Sequence, residues 1–158
     1  MKNEEFIKLH ERDDVRQLAL KAHSVEGIDL PYCLDQIAGR QMAMRKLPSW
    51  AAVDSIVYPP HISMEQCSSE PTALYKNSVL DRLHSSLFTL HSSLIIDLTG
   101  GFGVDFSFMS RGFSKAVYVE RQQHLCDVAR YNFGCLVLDN VEVVCDEAES
   151  YLASCTKA

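Results

Sequence analysis

Apolar positions give the two halves of this 158-residue chain different textures. In the second half they come in short runs. Leu94 to Ile96 are apolar and β-prone, which predicts a strand covered on both faces. Lys115 to Glu120 reads as a second strand ending in an acid, and Val141 to Cys145 as a third. Between these two strands, Leu125, Val128, Ala129 and Phe133 recur at three and four residues, which predicts a helix over 122–133. Val104 to Met109 predicts a shorter helix after the first strand, and Asp139-Asn140 a turn before the third. Strand, helix, strand, helix, strand is the alternation of a parallel α/β sheet.

The first half reads as helical. Asn3 is expected to cap a helix running to about Lys21, with Phe6, Leu9, Val15, Leu18 and Leu20 as a partial apolar stripe and a bend at Asp13-Asp14. Asp29-Leu30-Pro31 starts another helix, with Tyr32, Ile37, Met42 and Met44 in its body, and Leu47-Pro48-Ser49-Trp50 ends it. Pro59-Pro60-His61 is a rigid extended connection. A third helix is expected from about Glu65 to Leu83, with a polar linker from His84 to Ser93. Trp50 and Tyr58 read as packing residues.

The chemistry concentrates where the first strand ends. Asp97-Leu98-Thr99-Gly100-Gly101-Phe102-Gly103 places three glycines in four positions between strand and helix, so backbone can approach a ligand closely. Glu120 ends the second strand 19 residues beyond Gly101, where nucleotide-binding βαβ units place an acid that accepts from two ribose hydroxyls. Asp146-Glu147-Ala148 follows the third strand and offers a carboxylate to an adenine amino group. The dinucleotide fingerprint needs a third glycine, and Phe106 stands there, which argues against a pyrophosphate on the helix start. Asp97 at the strand end suits an ammonium group better than phosphates.

Asp97-Leu98-Thr99-Gly100-Gly101-Phe102-Gly103 resembles the first motif of class I S-adenosylmethionine-dependent methyltransferases. Val117-Tyr118-Val119-Glu120 is similar to their second motif, and Asp146-Glu147-Ala148 to the later acidic one. Residues 63–76, Ser63 to Lys76, resemble the helix before motif one in some of these enzymes. Together the matches cover roughly residues 63–152, and the pattern is most similar to a bacterial group assigned as RNA methyltransferases with a THUMP-like domain further on. The resemblance implies α/β architecture: an N-terminal helical module, 1–62, followed by a partial methyltransferase domain, 63–158, holding the first half (βαβαβ) of a Rossmann-like fold. It implies S-adenosyl-L-methionine as cofactor. Asp97 would hold the methionine ammonium, Gly100, Gly101 and Gly103, with Phe102, would line the floor beneath methionine and ribose, and Thr99 would belong to the same cofactor-binding set. Glu120 would take the ribose hydroxyls, and Asp146 or Glu147 the adenine amino group. Ser69 and Thr72 would close over the cofactor, or else serve as cap or turn hydroxyls.

Departures from the family pattern bound the reading. Only three strands are legible where the fold has seven, and no Asn/Asp-Pro-Pro substrate loop follows; Pro59-Pro60 lies upstream with no acid or amide before it. The chain is therefore expected to be an N-terminal fragment, inactive alone, with the catalytic residues elsewhere. The apolar edge of the first strand is expected to pair in a homodimer or to be covered by the N-terminal helices.

Composition narrows the classes. A hydrophobic content of 47% supports a packed core, and no apolar run approaches a membrane span. Met1 to Glu5 is not a signal peptide, and six cysteines without a C-x-x-C pair read as reduced thiols of a cytoplasmic protein. The six histidines have no metal-ligand spacing. A net charge of −6 offers no broad basic surface, so RNA contacts would fall to a C-terminal part; Arg40, Arg45 and Lys46 are the only local cluster. Two other classes compete: a nucleotide-cofactor oxidoreductase, disfavoured by Phe106, and a non-catalytic helical interaction module with a vestigial half-sheet, favoured by the missing strands.

Overall fold

The computed structural model describes residues 2–21, 26–87 and 93–155, and the chain divides into two compact units, Met1–Gln66 and Cys67–Ala158. In the first unit, the helix expected over Asn3 to Lys21 is two helices, α1 (Asn3–Leu9) and α2 (Val15–Lys21). Capping sets the break. The Asp14 carboxylate accepts from the Gln17 N–H at 2.9 Å and so starts a new helix at Val15. Nor does Asn3 cap α1. Lys2 stands at the N-cap, and its N–H donates to Glu5 Oε2 at 3.0 Å. The Asn3 side chain instead accepts from the Asp29 N–H at 2.9 Å, tying α1 to the start of α3 (Leu30–Lys46). That helix begins where the sequence places it, with Asp29 accepting from the Tyr32 N–H and Pro31 in the first turn.

Helices α1, α2, α4 (Pro48–Ala51) and α5 (His61–Gln66) all pack on α3. Phe6, Leu18, Cys33 and Ile37 form a buried cluster, and Trp50 and Tyr58 are buried packing residues. A Cβ on Gly39 would stand 2.3 Å from Tyr58 Cβ, so only glycine lets the extended 57–60 segment lie this close to α3. Gln36 fixes that segment by donating to the Tyr58 carbonyl and accepting from its N–H, both at 2.8 Å. A segment without a ladder of its own thus has its backbone satisfied.

The helix expected over Glu65 to Leu83 is also broken: α5 ends at Gln66, and α6 runs from Glu70 to Leu87. Pro71 explains this. It has no N–H to donate, and its ring collides with the carbonyl four residues back, so it is tolerated only in a first turn. Helix α6 continues through His84 to Leu87, into the span expected to be a polar linker, and residues 88–92 of that linker lie outside the described residues.

The second unit contains a three-stranded parallel sheet in the order β1 (Leu94–Asp97), β2 (Lys115–Glu120), β3 (Val141–Cys145). Helix α7 (Val104–Met109) lies between β1 and β2, α8 (Gln123–Cys135) between β2 and β3, and α9 (Ala148–Ser154) follows. The register sets Ile96 beside Val117 and Glu120 beside Cys145. The central strand β2 is buried from Ala116 to Glu120. β1 is less covered than its apolar sequence implies: Leu94 is 54% exposed and the rest half-buried, because β1 is an edge.

Helix α8 ends in a Schellman turn. The Leu138 N–H donates to the Phe133 carbonyl at 3.0 Å, and the Val137 N–H to that of Gly134 at 3.1 Å. The motif needs a left-handed residue, and Val137 supplies it at φ 56°, where a β-branched side chain costs roughly 1–2 kcal/mol. Its side chain is 70% exposed, so little packing offsets the strain. Val137→Gly should therefore stabilise the fold by about 1 kcal/mol and raise the melting midpoint by roughly 2–4 °C. Circular dichroism melts measure this, and an unchanged or lower midpoint would count against strain at Val137.

Candidate functional site

Beneath the glycine turn lies an aromatic triangle. Phe106, Tyr118 and Phe133 meet with ring centroids 5.4 to 5.7 Å apart, edge-on or tilted. Phe106, which occupies the third-glycine position, is one corner. A Cβ on Gly100 would lie 2.2 Å from the Tyr118 ring, and one on Gly103 2.7 Å from the Phe133 ring. These two glycines are therefore required by the aromatic floor. Gly101 differs: its φ of +56° is positive like that of Gly103 at +85°, but a Cβ there would meet nothing nearer than the Thr99 carbonyl at 3.8 Å. The turn is closed by the Gly103 N–H donating to the Gly100 carbonyl, while the Tyr118 hydroxyl donates to the Gly101 carbonyl. Burial, then the nearby Glu120 carboxylate, holds the Tyr118 phenol well above its usual range, so it remains a donor.

Glu120 lies two residues beyond Tyr118 on the same strand, hence on the same face. It is buried, and both carboxylate oxygens are oriented by backbone. Oε2 accepts from the Gly101 N–H at 3.0 Å, and Oε1 from the Gln122 N–H at 2.8 Å. A carboxylate offers about four acceptor positions, so two are used here and two remain.

A cleft of about 340 Å³ opens beyond the strand ends, lined by Leu98, Thr99, Glu120, Arg121, Gln122 and residues 146–149. Of the residues singled out by sequence, it brings together Thr99, Glu120, Asp146 and Glu147. Asp97, Gly100, Gly101, Phe102 and Gly103 are not in its lining. Phe102 is 4% exposed, so its ring belongs to the core rather than to an open floor. Asp97 ends β1 and accepts from the Thr99 N–H at 2.9 Å through Oδ1. Asp146 accepts from the Glu147 N–H at 2.8 Å, and its own N–H extends the ladder to the Glu120 carbonyl at 3.1 Å. Glu147 is more exposed and stands 3.9 Å from Arg121.

Sequence reasoning misses Arg121, Gln122 and Glu149, although the first two adjoin Glu120. At the start of α6, the Ser69 and Thr72 hydroxyls lie where cap or turn hydroxyls would. Ser69 and Thr72 share a hydroxyl contact of 2.9 Å with each other in the first turn. Ser68 and Lys76 instead reach α7, donating to Asp105 Oδ2 at 2.8 and 2.6 Å. Helix α6 is thereby latched to the helix that leaves the glycine turn. Among the described residues, no cluster of His, Cys, Asp and Glu could hold a metal ion, and no helix is long and apolar enough to cross a membrane.

No protein-family model matches the chain, and no curated protein matches it at a significant level. Among solved structures it is similar to a provisionally assigned methyltransferase from Porphyromonas gingivalis W83, with 25% identity and a TM-score of 0.73. That match covers 96% of this chain and 36% of the other. A provisionally assigned O-methyltransferase from Klebsiella pneumoniae matches at 15% identity and a TM-score of 0.51, over 92% of this chain and 54% of its own. This second likeness is one of fold alone. The chain thus spans 36% and 54% of the lengths of these two proteins. Its parallel sheet and helices have the Rossmann-like fold of methyltransferase neighbours.

The turn geometry separates two adjacent glycines. Gly100→Ala drives a methyl into the packed Tyr118 ring and should cost at least about 2 kcal/mol, as overpacking does. Gly101→Ala meets no atom closely and should cost only about 1 kcal/mol, from its left-handed backbone. Thermal melts of the two variants check this. Equal losses would mean that the Tyr118 ring does not constrain the turn.

Proposed function

We propose that the chain is the S-adenosyl-L-methionine-binding part of a methyltransferase acting on RNA, with the substrate site supplied outside these residues. The observation that carries the cofactor reading is the Glu120 carboxylate, held by two amides with two acceptor positions left beside the cleft. Two acceptors match a vicinal pair of ribose hydroxyls. Asp146, anchored to the Glu120 carbonyl, and the more exposed Glu147 both offer a carboxylate to the adenine amino group. Asp97 at the end of β1 is assigned the methionine ammonium, with one oxygen already turned to Thr99. Gly101 keeps the space over the turn open. The fold of the Porphyromonas neighbour and the motif resemblance support the same reading.

When bound, the cofactor supplies an electrophilic methyl on a sulfonium, and transfer to a nucleophilic nitrogen or carbon depends mainly on alignment. This chain's residues bind and orient: Glu120 fixes the ribose, and the glycine turn sets how closely backbone approaches. The acids at 120, 146, 147 and 149 against the single Arg121 make the cleft hostile to phosphates, which separates this reading from a nucleotide-cofactor oxidoreductase. RNA as substrate rests on the resemblance to the THUMP-bearing group, and a cytoplasmic location on the free cysteines. The exposed edge of β1 is where a further strand or a second copy would pair.

Calorimetry with S-adenosylhomocysteine, and with adenosine triphosphate as the phosphate-bearing control, tests the cofactor reading. In a protein that carries the remaining strands, S-adenosylhomocysteine should bind and the triphosphate should not, whereas this chain by itself should bind S-adenosylhomocysteine weakly or not at all. Glu120→Ala should weaken binding by roughly 2–4 kcal/mol, at least tenfold, since two charge-assisted hydrogen bonds are lost. Unchanged affinity in that variant would remove Glu120 from the site. With a radiolabelled methyl donor and bulk RNA, this chain by itself should incorporate no label; incorporation would overturn the assignment of the substrate site to other residues.

A further inference from the structure

We propose that Tyr118 is a positioning residue for the ribose: its hydroxyl holds Gly101 in the shape that aims the Glu120 carboxylate at the cleft. The inference deepens the cofactor reading above and rests on it. Three successive residues of β2 hold the glycine turn, each with a different group. The Val119 carbonyl accepts from the Gly100 N–H at 2.9 Å. The Glu120 carboxylate accepts from the Gly101 N–H at 3.0 Å, and the Tyr118 hydroxyl donates to the Gly101 carbonyl. The two peptide planes that meet at the Gly101 Cα are therefore each pinned by a side chain. Those side chains stand two residues apart on one strand and share a face.

Gly101 needs this restraint. It stands at φ +56°, and a Cβ there would meet nothing nearer than 3.8 Å, so neither a side chain nor a packed neighbour fixes its backbone. Ring packing does not account for the hydroxyl. Phe106 and Phe133 complete the aromatic triangle without a polar atom, and a phenylalanine at 118 would fill the same corner. Tyr118 is fully buried, so its hydroxyl is tolerated only because the Gly101 carbonyl receives it. Without that donor the peptide between Gly101 and Phe102 is released, and the Gly101 N–H swings away from Glu120 Oε2. The Gln122 N–H, bonded to Oε1 at 2.8 Å, is then the backbone donor left on the carboxylate. A carboxylate held at one oxygen turns about that bond, and its open acceptor positions no longer match two vicinal hydroxyls.

The test reads the turn and the ligand separately, using Tyr118→Phe, which keeps the ring and removes only the hydroxyl. On the full chain, nuclear magnetic resonance follows amide hydrogen exchange. The Gly101 amide should exchange at least about tenfold faster in the variant, while the amides of Ala116 to Val119 keep their protection. Unchanged protection at Gly101, or an equal loss along all of β2, would overturn the positioning role. In the protein that carries the remaining strands, calorimetry compares S-adenosylhomocysteine with its 2′-deoxy analogue. The wild type should prefer the hydroxylated ligand by about tenfold, and Tyr118→Phe should reduce that preference to about twofold. A hydroxyl that merely supported the fold would weaken both ligands in proportion, so an unchanged preference would overturn the inference. Failure of the wild type to bind either ligand would overturn the cofactor reading, while exchange at Gly101 still decides whether the Tyr118 hydroxyl holds the turn.

Discussion

The Tyr118 ring is the constraint on which the second unit depends. It projects from the central strand into the space beneath the glycine turn, edge-on to Phe106 and Phe133, and its hydroxyl donates to the turn itself. A ring there leaves no room for a Cβ on Gly100, and its neighbour Phe133 leaves none on Gly103. Glu120 then follows two residues later on the same face, which brings its carboxylate to the Gly101 amide. Packing below and polar chemistry above are thus fixed by one strand. The phenylalanine at the third-glycine position fits this account. Where the dinucleotide fingerprint has a glycine, Phe106 is buried and completes the triangle with Tyr118 and Phe133.

Much of this is legible in the sequence, for identifiable reasons. The three strands and α8 are readable because burial imposes a period on them, and their bounds in the structure match the apolar runs closely. Glu120 and Asp146 are readable because a strand has a fixed rise, so an acid after each strand must reach the same end of the sheet. The helix bounds of the first unit are less so. A stripe from Phe6 to Leu20 does not reveal that Asp14 caps a new helix, nor that Asn3 turns its side chain to Asp29. Pro71 does carry a signal: proline in a helical run marks a first turn, and α6 restarts there. The Ser68–Lys76–Asp105 latch is not legible, since three polar residues spread over 37 positions have no pattern until two helices meet.

The cleft's charge is as informative as its shape. Four of its nine lining residues are acids and one is basic, and low-dielectric walls amplify such a balance. A phosphate-bearing ligand would have to overcome that field, whereas a neutral adenosine end and a cationic tail would not. Arg121 moderates the field locally, 3.9 Å from Glu147, but both side chains are largely exposed, so the pair contributes little to stability. Its consequence is positional: it draws Glu147 toward the residue that follows Glu120.

Glu120 also shows why binding and folding are hard to separate here. Its carboxylate accepts from the Gly101 and Gln122 amides, and its carbonyl accepts from the Asp146 amide and the Cys126 thiol. One residue therefore joins the glycine turn, the start of α8 and the end of β3. Any substitution that removes the carboxylate leaves two amides short of an acceptor, each worth roughly 1–3 kcal/mol if no water replaces it. A loss of ligand affinity at this position is evidence for contact only when the melting midpoint is measured alongside it.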